Sequence, residues 1–376
     1  MSPRVLRFIP GLVRGLLFLV LLYLFLFSID LLGSSFKMLG KGVAEGLLSA
    51  TTNPFAGLMI GILTTAIVQS SSLTTSLIVA LVSAGGITVH NAVPIVMGAN
   101  IGTTITCAIV SLGHIRRNDE FERAYAGANV HDMFNVLSVI VLLPLQLATG
   151  FLDTAAHYLS AVFYGSQAGG FDSPLKPLIQ PLVKLTHGFM IDRAGFSECV
   201  TGIISVAISL ALVFVALAYI VKLMRRATSS RAEHWIQRVF SANPYFVFAI
   251  GLALTAIIQS SSITTSMLVP LVGAGLINLE QAFPVTVGAN IGTTVTALLA
   301  TLAGNQNGLT IAFVHLLFNI CGTLVFFVPP FMRRIPIVIS RFLAHYFVRH
   351  KKLVFVYIIT MFFLIPLLGM LITERL

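Results

Sequence analysis

The chain has 376 residues, of which 57% are hydrophobic and only 10% are charged, and its mean hydropathy is +0.95. Soluble globular proteins carry about a quarter charged residues, so this composition excludes a soluble domain and indicates a membrane protein. The formal net charge of +10 would suit a nucleic-acid partner only if the basic residues formed one face in water. The three cysteines, Cys107, Cys199 and Cys321, predict neither a disulfide framework nor a zinc site.

Apolar stretches long enough to cross a bilayer recur along the chain. A crossing needs about 20 apolar residues in a helix, because only a helix satisfies its own backbone in lipid. The first stretch is too long for a signal-peptide core, which predicts a retained span. Seven single spans are predicted, near Leu12–Leu32, Ala92–Leu112, Ala124–Leu145, Cys199–Val221, Ala282–Leu302, Thr310–Pro330 and Leu353–Leu371.

Two further stretches, Asn53–Ala84 and Asn243–Ala274, are longer than one crossing needs and carry Gln-Ser-Ser-Ser at their middle. Each could be one helix or a hairpin that returns to the side it entered from. If both are hairpins and the N-terminus is cytoplasmic, 17 of the 23 Lys and Arg residues are cytoplasmic, whereas two crossings divide them 12 against 11. Membrane proteins concentrate these residues on the cytoplasmic side. The charge distribution therefore predicts hairpins, and it assigns the bases to orientation rather than to nucleic acid.

The chain contains an internal repeat, since Asn53–Val110 aligns with Asn243–Ala300 at a constant offset of 190 without a gap. The copies share QSSSLTTS against QSSSITTS and GANIGTTIT against GANIGTTVT, and the pattern HxxFN then recurs at His131 and His315. An odd number of predicted spans separates equivalent points, so the copies are expected to be inverted. The predicted fold is an all-α polytopic membrane protein with two inverted-topology repeats, about seven spans and two re-entrant hairpins. Such repeats characterise secondary transporters, whose sites lie between the repeats.

These elements divide the chain into five segments. The expected segments are an N-terminal cytoplasmic stretch with the first span (1–52), repeat 1 (53–149), an extracytoplasmic loop with a connecting helix and a basic cytoplasmic loop (150–242), repeat 2 (243–331), and a basic cytoplasmic stretch with the last span (332–376).

Candidate substrate residues lie at the hairpin tips. A helix broken inside a membrane exposes amides at the N-terminus of the next half-helix, and serine hydroxyls can donate to an anion. Neither hairpin contains Lys or Arg, which would be costly at this depth, so the pattern predicts an anion held by neutral donors and helix dipoles. The candidates are Gln69, Ser70, Ser71, Ser72, Gln259, Ser260, Ser261 and Ser262.

Candidate sodium residues lie beside them. An unwound helix with free carbonyls beside Asn and Thr side chains suits a hard cation, and the glycines around Asn100 and Asn290 are expected to permit that unwinding. These glycines are Gly98, Gly102, Gly288 and Gly292. The sodium candidates are Gln69, Thr74, Thr75, Asn100, Thr103, Thr104, Gln259, Thr264, Thr265, Asn290, Thr293 and Thr294. Spacing does not decide which hydroxyl meets the cation and which the anion.

Each candidate has a structural alternative. Small polar residues also mediate ordinary helix contacts in membranes, but four segments in two near-identical pairs favour a functional site. His131 and His315 are either proton carriers or hydrogen-bonded structural residues that follow the repeat. Asp132 has no acidic counterpart, because Leu316 occupies its place in copy two; it either affects coupling or holds a local hydrogen bond.

On the paired QSSS and GANIGTT motifs and on FERAYAGANVHDMFNVLSVIVLLP (Phe121–Pro144), the chain resembles the type II sodium-phosphate cotransporter family over about Asn53–Pro330. The resemblance implies sodium-driven uptake of inorganic phosphate at the QSSS hairpins, co-transported sodium ions and no organic cofactor. It also implies a homodimer in some members. The loop from Gly150 to Glu198 has no cysteine pair and no N-x-S/T acceptor, unlike animal members. No regulatory domain follows the last predicted span, so we expect a minimal bacterial member in the inner membrane, N-terminus cytoplasmic.

Other functions compete with phosphate symport. The first is sodium-coupled symport of another oxyanion or a small carboxylate, which the spacing cannot rank against phosphate. The second is an intramembrane serine enzyme, but no GxSxG elbow occurs and one nucleophile would not need two QSSS copies. The third is a channel, against which two occluding hairpins favour alternating access. The sequence therefore predicts a transporter and not an enzyme.

Overall fold

The structure is a computed structural model that describes residues 11–39, 51–164, 176–227, 240 and 243–373. Within these residues the chain is helical and contains no strand, as its composition predicts. The helices are α1 (Gly11–Met38), α2 (Pro54–Val68), α3 (Ser71–Ala84), α4 (Val89–Gly102), α5 (Ile105–Ser111), α6 (Asn118–Thr149), α7 (Phe151–Tyr164), α8 (Lys176–Gly188), α9 (Glu198–Ala227), α10 (Pro244–Ile258), α11 (Ser261–Gly273), α12 (Leu279–Ala300), α13 (Gln306–Phe326), α14 (Pro330–Arg349), α15 (Lys351–Ile359) and α16 (Ile365–Thr373). A π-helical turn, Thr360–Leu364, joins the last two helices.

Six helical stretches among the described residues are long and apolar enough to cross a membrane. They are Gly15–Leu32, Val89–His114, Asn118–Thr149, Leu279–Ala300, Gln306–Phe326 and Lys351–Thr373, and each overlaps one predicted span. The seventh predicted span lies in α9, where the apolar part with described side chains, Glu198–Val213, is shorter than a crossing. Part of the predicted cytoplasmic loop before repeat 2, and the outer ends of the chain, lie outside the described residues.

Two segments predicted as connections are helical. The expected loop after Gly150 contains α7 and α8, and the expected basic stretch after residue 331 contains α14. These helices are amphipathic rather than uniformly apolar, so a search for long apolar stretches does not detect them. The predicted span Thr310–Pro330 also ends early, at Phe326, because two prolines at positions 329 and 330 begin the next helix.

The two repeats make the same close helix contacts. In the first, α2 packs on α4 so tightly that a Cβ on Gly98 would overlap the carbonyl oxygen of Leu58. In the second, α10 packs on α12, and a Cβ on Gly288 would overlap the carbonyl oxygen of Phe248, both residues lying 190 positions later. Glycine lets two membrane helices approach at their backbones. This packing holds α2 and α10, the helices that precede the two QSSS motifs, at fixed positions against α4 and α12.

Each repeat also packs against the other. The helix after the first QSSS motif, α3, contacts α13, which carries the second HxxFN pattern. The helix after the second QSSS motif, α11, contacts α6, which carries the first. The polar motifs of both copies therefore meet in the interior, with α14 packed on the outer side of α6.

We expect Gly98→Ala and Gly288→Ala each to destabilise the protein by about 1–3 kcal/mol, because the added methyl overlaps backbone that cannot move without separating two helices. The measurement is the thermal unfolding temperature of the purified protein in detergent. Gly113→Ala is the matched control, since a Cβ there meets no atom within 4 Å. An unfolding temperature in all three variants equal to that of the parent would contradict the role assigned to these glycines.

Candidate functional site

Both QSSS motifs break a helix within two residues. Gln69 ends α2 with φ 55° and Gln259 ends α10 with φ 57°. They are the only non-glycine residues with positive φ in the described part of the chain, a conformation that costs an L-residue about 1–2 kcal/mol. The next helix starts at once, because Ser70 caps α3 and Ser260 caps α11 through their side chains. The predicted breaks are thus confirmed at the residue level, and the same conformation recurs in both copies.

The two breaks contact each other reciprocally. The hydroxyl of Ser72 donates to the carbonyl oxygen of Gln259 at 3.4 Å, and the hydroxyl of Ser262 donates to the carbonyl oxygen of Gln69 at 3.5 Å. Thr103 joins them, with its hydroxyl 3.2 Å from that of Ser262. Candidate substrate residues from both copies, 190 positions apart in sequence, therefore form one site.

Helix ends of both polarities meet at this site. The carbonyl ends of α2 and α10 carry partial negative charge, and the amide ends of α3 and α11 carry partial positive charge. The first amides of a helix have no intrahelical acceptor, so those of Ser71, Ser72, Ser261 and Ser262 are available to an anion. Neither repeat segment, 53–110 or 243–300, contains Lys or Arg. Neutral groups alone therefore supply both the donors and the acceptors.

Threonines connect the two helices on either side of each break. The hydroxyl of Thr65 donates to that of Thr74 at 3.0 Å, and that of Thr255 donates to that of Thr264 at 2.9 Å. Sequence reasoning named Thr74 and Thr264 but missed their partners, although the repeat places both partners at the same offset of 190. Four other candidate threonines donate within their own helices: Thr75 to Ser71, Thr265 to Ser261, Thr293 to Ala289 and Thr294 to Ile291. Thr265 also accepts from the Cys107 thiol of the other copy at 3.2 Å.

The predicted unwinding around the GANIGTT glycines is wrong for copy two and is limited to Thr103 and Thr104 in copy one. Gly98, Asn100 and Gly102 lie within α4, and Gly288, Asn290 and Gly292 lie within the uninterrupted helix α12. Their glycines serve close packing instead, against the backbones of α2 and α10. Only copy one has an interruption here, at Thr103 and Thr104, between α4 and α5. Any cation at the segment of copy two would therefore meet side-chain oxygens rather than freed helical carbonyls.

A chain of buried hydrogen bonds connects the two GAN motifs through α6. Asn290 Nδ2 donates to Asn135 Oδ1 at 2.6 Å, and Asn135 Nδ2 donates to the carbonyl oxygen of Asn100 at 2.7 Å. His131 Nε2 lies 2.7 Å from Asn290 Oδ1, and because an amide oxygen only accepts, Nε2 carries the proton. His131 is therefore a hydrogen-bonded residue that orients Asn290.

The corresponding residues of copy two lack this arrangement. His315 and Asn319 are both 1% exposed, yet neither ring nitrogen of His315 nor Oδ1 of Asn319 has a hydrogen-bond partner. The side chain of Asn100, the counterpart of Asn290, donates from Nδ2 to the carbonyl oxygen of Val96 in its own helix. His315 is thus buried like His131, as the repeat predicts, but it lacks the hydrogen bond that His131 makes.

Asp132 is held by two hydroxyl groups. Thr104 donates to its Oδ1 at 2.9 Å and Tyr357 donates to its Oδ2 at 2.5 Å, and the residue is 4% exposed. Tyr357 comes from the final span, 225 positions away, and no sequence signal indicated it. The carboxylate that breaks the repeat symmetry thus connects the first repeat to the last span.

Solvent access also differs between the two breaks. Gln69 is exposed, whereas Gln259 is 7% exposed. Two residues with the same backbone conformation in matching positions therefore have different surroundings in this state.

With this geometry established, known proteins identify the family. Residues 24–165 and 212–342 match the family described as Na+/Pi-cotransporter. The chain belongs to this family. Members of the Na+/Pi-cotransporter family are transporters, not enzymes, and the family together with the six candidate spans makes the chain an integral membrane protein. The predicted resemblance is thereby confirmed.

Relatives from animals match nearly the whole chain. Sodium-dependent phosphate transport protein 2A of Ovis aries is 34% identical, covering 95% of this chain and 69% of the relative. Protein 2A of Rattus norvegicus is 34% identical over 93% of this chain and 66% of its own length. Protein 2B of Homo sapiens is 34% identical over 97% and 66%. The chain thus spans about two thirds of these relatives. No solved structure gives a significant match.

We expect Tyr357→Phe to destabilise the protein by about 1–3 kcal/mol, because it leaves one oxygen of the buried Asp132 carboxylate without a donor. Tyr346→Phe is the control, since the Tyr346 side chain is 46% exposed and can exchange its hydroxyl partner for water. The thermal unfolding temperatures of both variants in detergent give the comparison. Equal temperatures would show that the Tyr357 hydroxyl contributes nothing to holding Asp132.

Proposed function

We propose that this member of the Na+/Pi-cotransporter family is a sodium-coupled symporter that imports inorganic phosphate by alternating access. The observation that carries the proposal is the reciprocal contact between the two QSSS breaks, where Ser72 meets Gln259 and Ser262 meets Gln69. The names of the relatives, sodium-dependent phosphate transport proteins, supply the substrate and the coupling ion.

In this proposal phosphate binds between the two breaks. Its oxygens accept hydrogen bonds from the free amides that begin α3 and α11 and from the hydroxyls around them. Because these donors are neutral, the anion can also be released. The Ser72 and Ser262 hydroxyls, now bonded to carbonyl oxygens of the other copy, turn toward the substrate when it arrives. The proposed substrate residues are Gln69, Ser70, Ser71, Ser72, Gln259, Ser260, Ser261 and Ser262.

Sodium ions bind beside the phosphate in this proposal. The carbonyl ends of α2 and α10 and the hydroxyl and amide oxygens next to them are the hard ligands that a sodium ion prefers. Thr103 lies 3.2 Å from Ser262, so a cation at Thr103 would adjoin the anion and offset its charge. The proposed sodium residues are Gln69, Thr74, Thr75, Asn100, Thr103, Thr104, Gln259, Thr264, Thr265, Asn290, Thr293 and Thr294.

The proposed topology has two inverted repeats. Each begins with a re-entrant hairpin, 53–84 or 243–274, which enters the membrane and returns to the same side. The helix breaks at Gln69 and Gln259 and the matching glycine contacts of both copies support this arrangement. The distribution of Lys and Arg supports a cytoplasmic N-terminus. We place the protein in a bacterial inner membrane, because the loop from Gly150 to Glu198 has neither the cysteine pair nor the N-x-S/T acceptor of animal members.

Inverted repeats provide two states by exchanging their conformations. In the state described here, His131 bonds Asn290 while His315 has no partner, and Gln69 is exposed while Gln259 is buried. In the opposite state of this proposal the roles are exchanged, so that His315 bonds Asn100 and Gln259 becomes exposed. His315, which has no partner here, then makes its hydrogen bond to Asn100 only in the other state.

We expect Ser72→Ala and Ser262→Ala each to lower sodium-driven phosphate uptake into proteoliposomes at least about tenfold, because each removes a donor from the substrate and a contact between the copies. Ser83→Ala is the control, since Ser83 lies on α3 away from the breaks. Full-rate uptake without a sodium gradient would overturn the symport, and equal inhibition of uptake by phosphate and sulfate would overturn the assignment of phosphate.

We expect Gln69→Cys and Gln259→Cys, introduced singly after replacing the three native cysteines by serine, to react with a membrane-impermeant thiol reagent from opposite sides of proteoliposomes. The exchange of conformations exposes each position in a different state and on a different side. Mass spectrometry of the labelled protein measures both rates. Labelling of both positions from the same side alone would rule out this exchange.

A further inference from the structure

A basic cavity lies where the end of α14 and the beginning of α15 meet the start of α6. Its volume is about 730 Å³, and its lining includes Asn118, Arg349, His350, Lys351, Lys352 and Leu353. It is separate from the QSSS breaks and shares no residue with the proposed substrate or sodium sites. Nothing in the proposed transport cycle uses it.

The fold constructs this corner from distant segments. Helix α14 ends at Arg349, His350 turns the chain, and α15 begins at Lys351. The Lys351 ammonium then donates to the carbonyl oxygen of Ile115 at 2.6 Å, which fixes the corner against the turn before α6. The His350 ring packs 5.0 Å from that of Tyr346. One contact between residues 236 positions apart, Lys351 and Ile115, thus holds the cavity together.

The charge of the cavity selects an anion. Arg349, Lys351 and Lys352 line it, and no Asp or Glu is among the lining residues. In the first turn of α6, Glu120 is 2.6 Å from Arg117. Asp119 and Glu120 line a different pocket, together with Arg116, Arg117 and Arg123. A surplus of three positive charges remains at the cavity. The side-chain cations supply this charge, since the Leu353 amide at the start of α15 already donates to the His350 carbonyl oxygen at 2.8 Å.

The apolar surroundings indicate which anion. Lys351 is the first residue of the candidate membrane span Lys351–Thr373, and the end of such a span is where lipid headgroups are expected. On the α14 side Tyr346, whose ring lies 5.0 Å from that of His350, is 46% exposed. On the α15 side Val356, one turn after Lys352, is 55% exposed. Acyl chains can cover this surface, whereas free phosphate would leave it bare.

We propose that this corner binds the phosphate headgroup of an anionic phospholipid. The cations Arg349, Lys351 and Lys352 hold the phosphate, and the exposed apolar side chains of α14 and α15 contact the acyl chains. Basic pockets beside membrane spans on the cytoplasmic side hold such headgroups, and the same side is the one to which the charge distribution assigns these residues.

The test compares two double variants of the full chain that lose the same two charges. Arg349→Gln with Lys352→Gln changes the cavity, and Arg334→Gln with Lys184→Gln changes exposed cations elsewhere. Binding of a fluorescent phosphatidylglycerol to the purified protein in neutral detergent is titrated for each. We expect the cavity variant to bind at least about tenfold more weakly and the control to bind like the parent, because each basic residue near a headgroup contributes comparably.

Further arms separate the possible ligands. Arg349→Lys with Lys352→Arg keeps the charges and should retain lipid binding, which shows that the corner still folds. Fluorescent phosphatidylcholine should bind weakly to the parent. Displacement of phosphatidylglycerol by millimolar inorganic phosphate would overturn the lipid in favour of free phosphate. Equal loss of binding in the cavity variant and the control, or no loss in either, would overturn the site.

Discussion

Breaking a helix inside a membrane leaves backbone amides and carbonyls without partners, and each such group costs free energy unless something else satisfies it. This chain breaks two helices at matching positions and lets each break satisfy the other. The Ser72 hydroxyl reaches the carbonyl of Gln259, and that of Ser262 reaches the carbonyl of Gln69. The mutual contact holds two polar helix ends in an interior that contains no Lys or Arg from either repeat segment.

The packing around the breaks follows from this requirement. The breaks meet only if α2 and α10 are held at fixed depth, and backbone contacts at Gly98 and Gly288 provide that alignment. Crossed packing, of α3 on α13 and of α11 on α6, then joins the two copies into one unit. A substrate at the junction would therefore touch both copies at once, which is the geometry that a rocking motion between repeats needs.

The departures from symmetry are as informative as the symmetry. His131 has a partner and His315 has none, Thr103 and Thr104 interrupt copy one alone, and Gln69 is exposed where Gln259 is buried. The QSSS and GAN motifs are the same in both copies, so these differences come from the surroundings in which the fold places them. Asp132, bonded to Tyr357 and replaced by Leu316 in copy two, is a place where the sequences of the copies themselves differ.

The sequence by itself determined the membrane class, the repeat and the residues at which the helices break, because hydropathy, internal identity and local helix-breaking polarity are properties of short segments. It also indicated the family, because the QSSS and GANIGTT motifs each occur twice. The sequence did not predict amphipathic helices such as α14, which are not uniformly apolar. Nor did it predict that the GAN segments are helical, since glycine permits either unwinding or close packing and only the neighbouring helix decides which. The partners of Asp132, His131 and the two breaks were likewise decided by the tertiary structure alone. Those partners lie more than 150 positions away, apart from Thr104 beside Asp132, and equal motifs acquire unequal contacts only once the chain has folded around them.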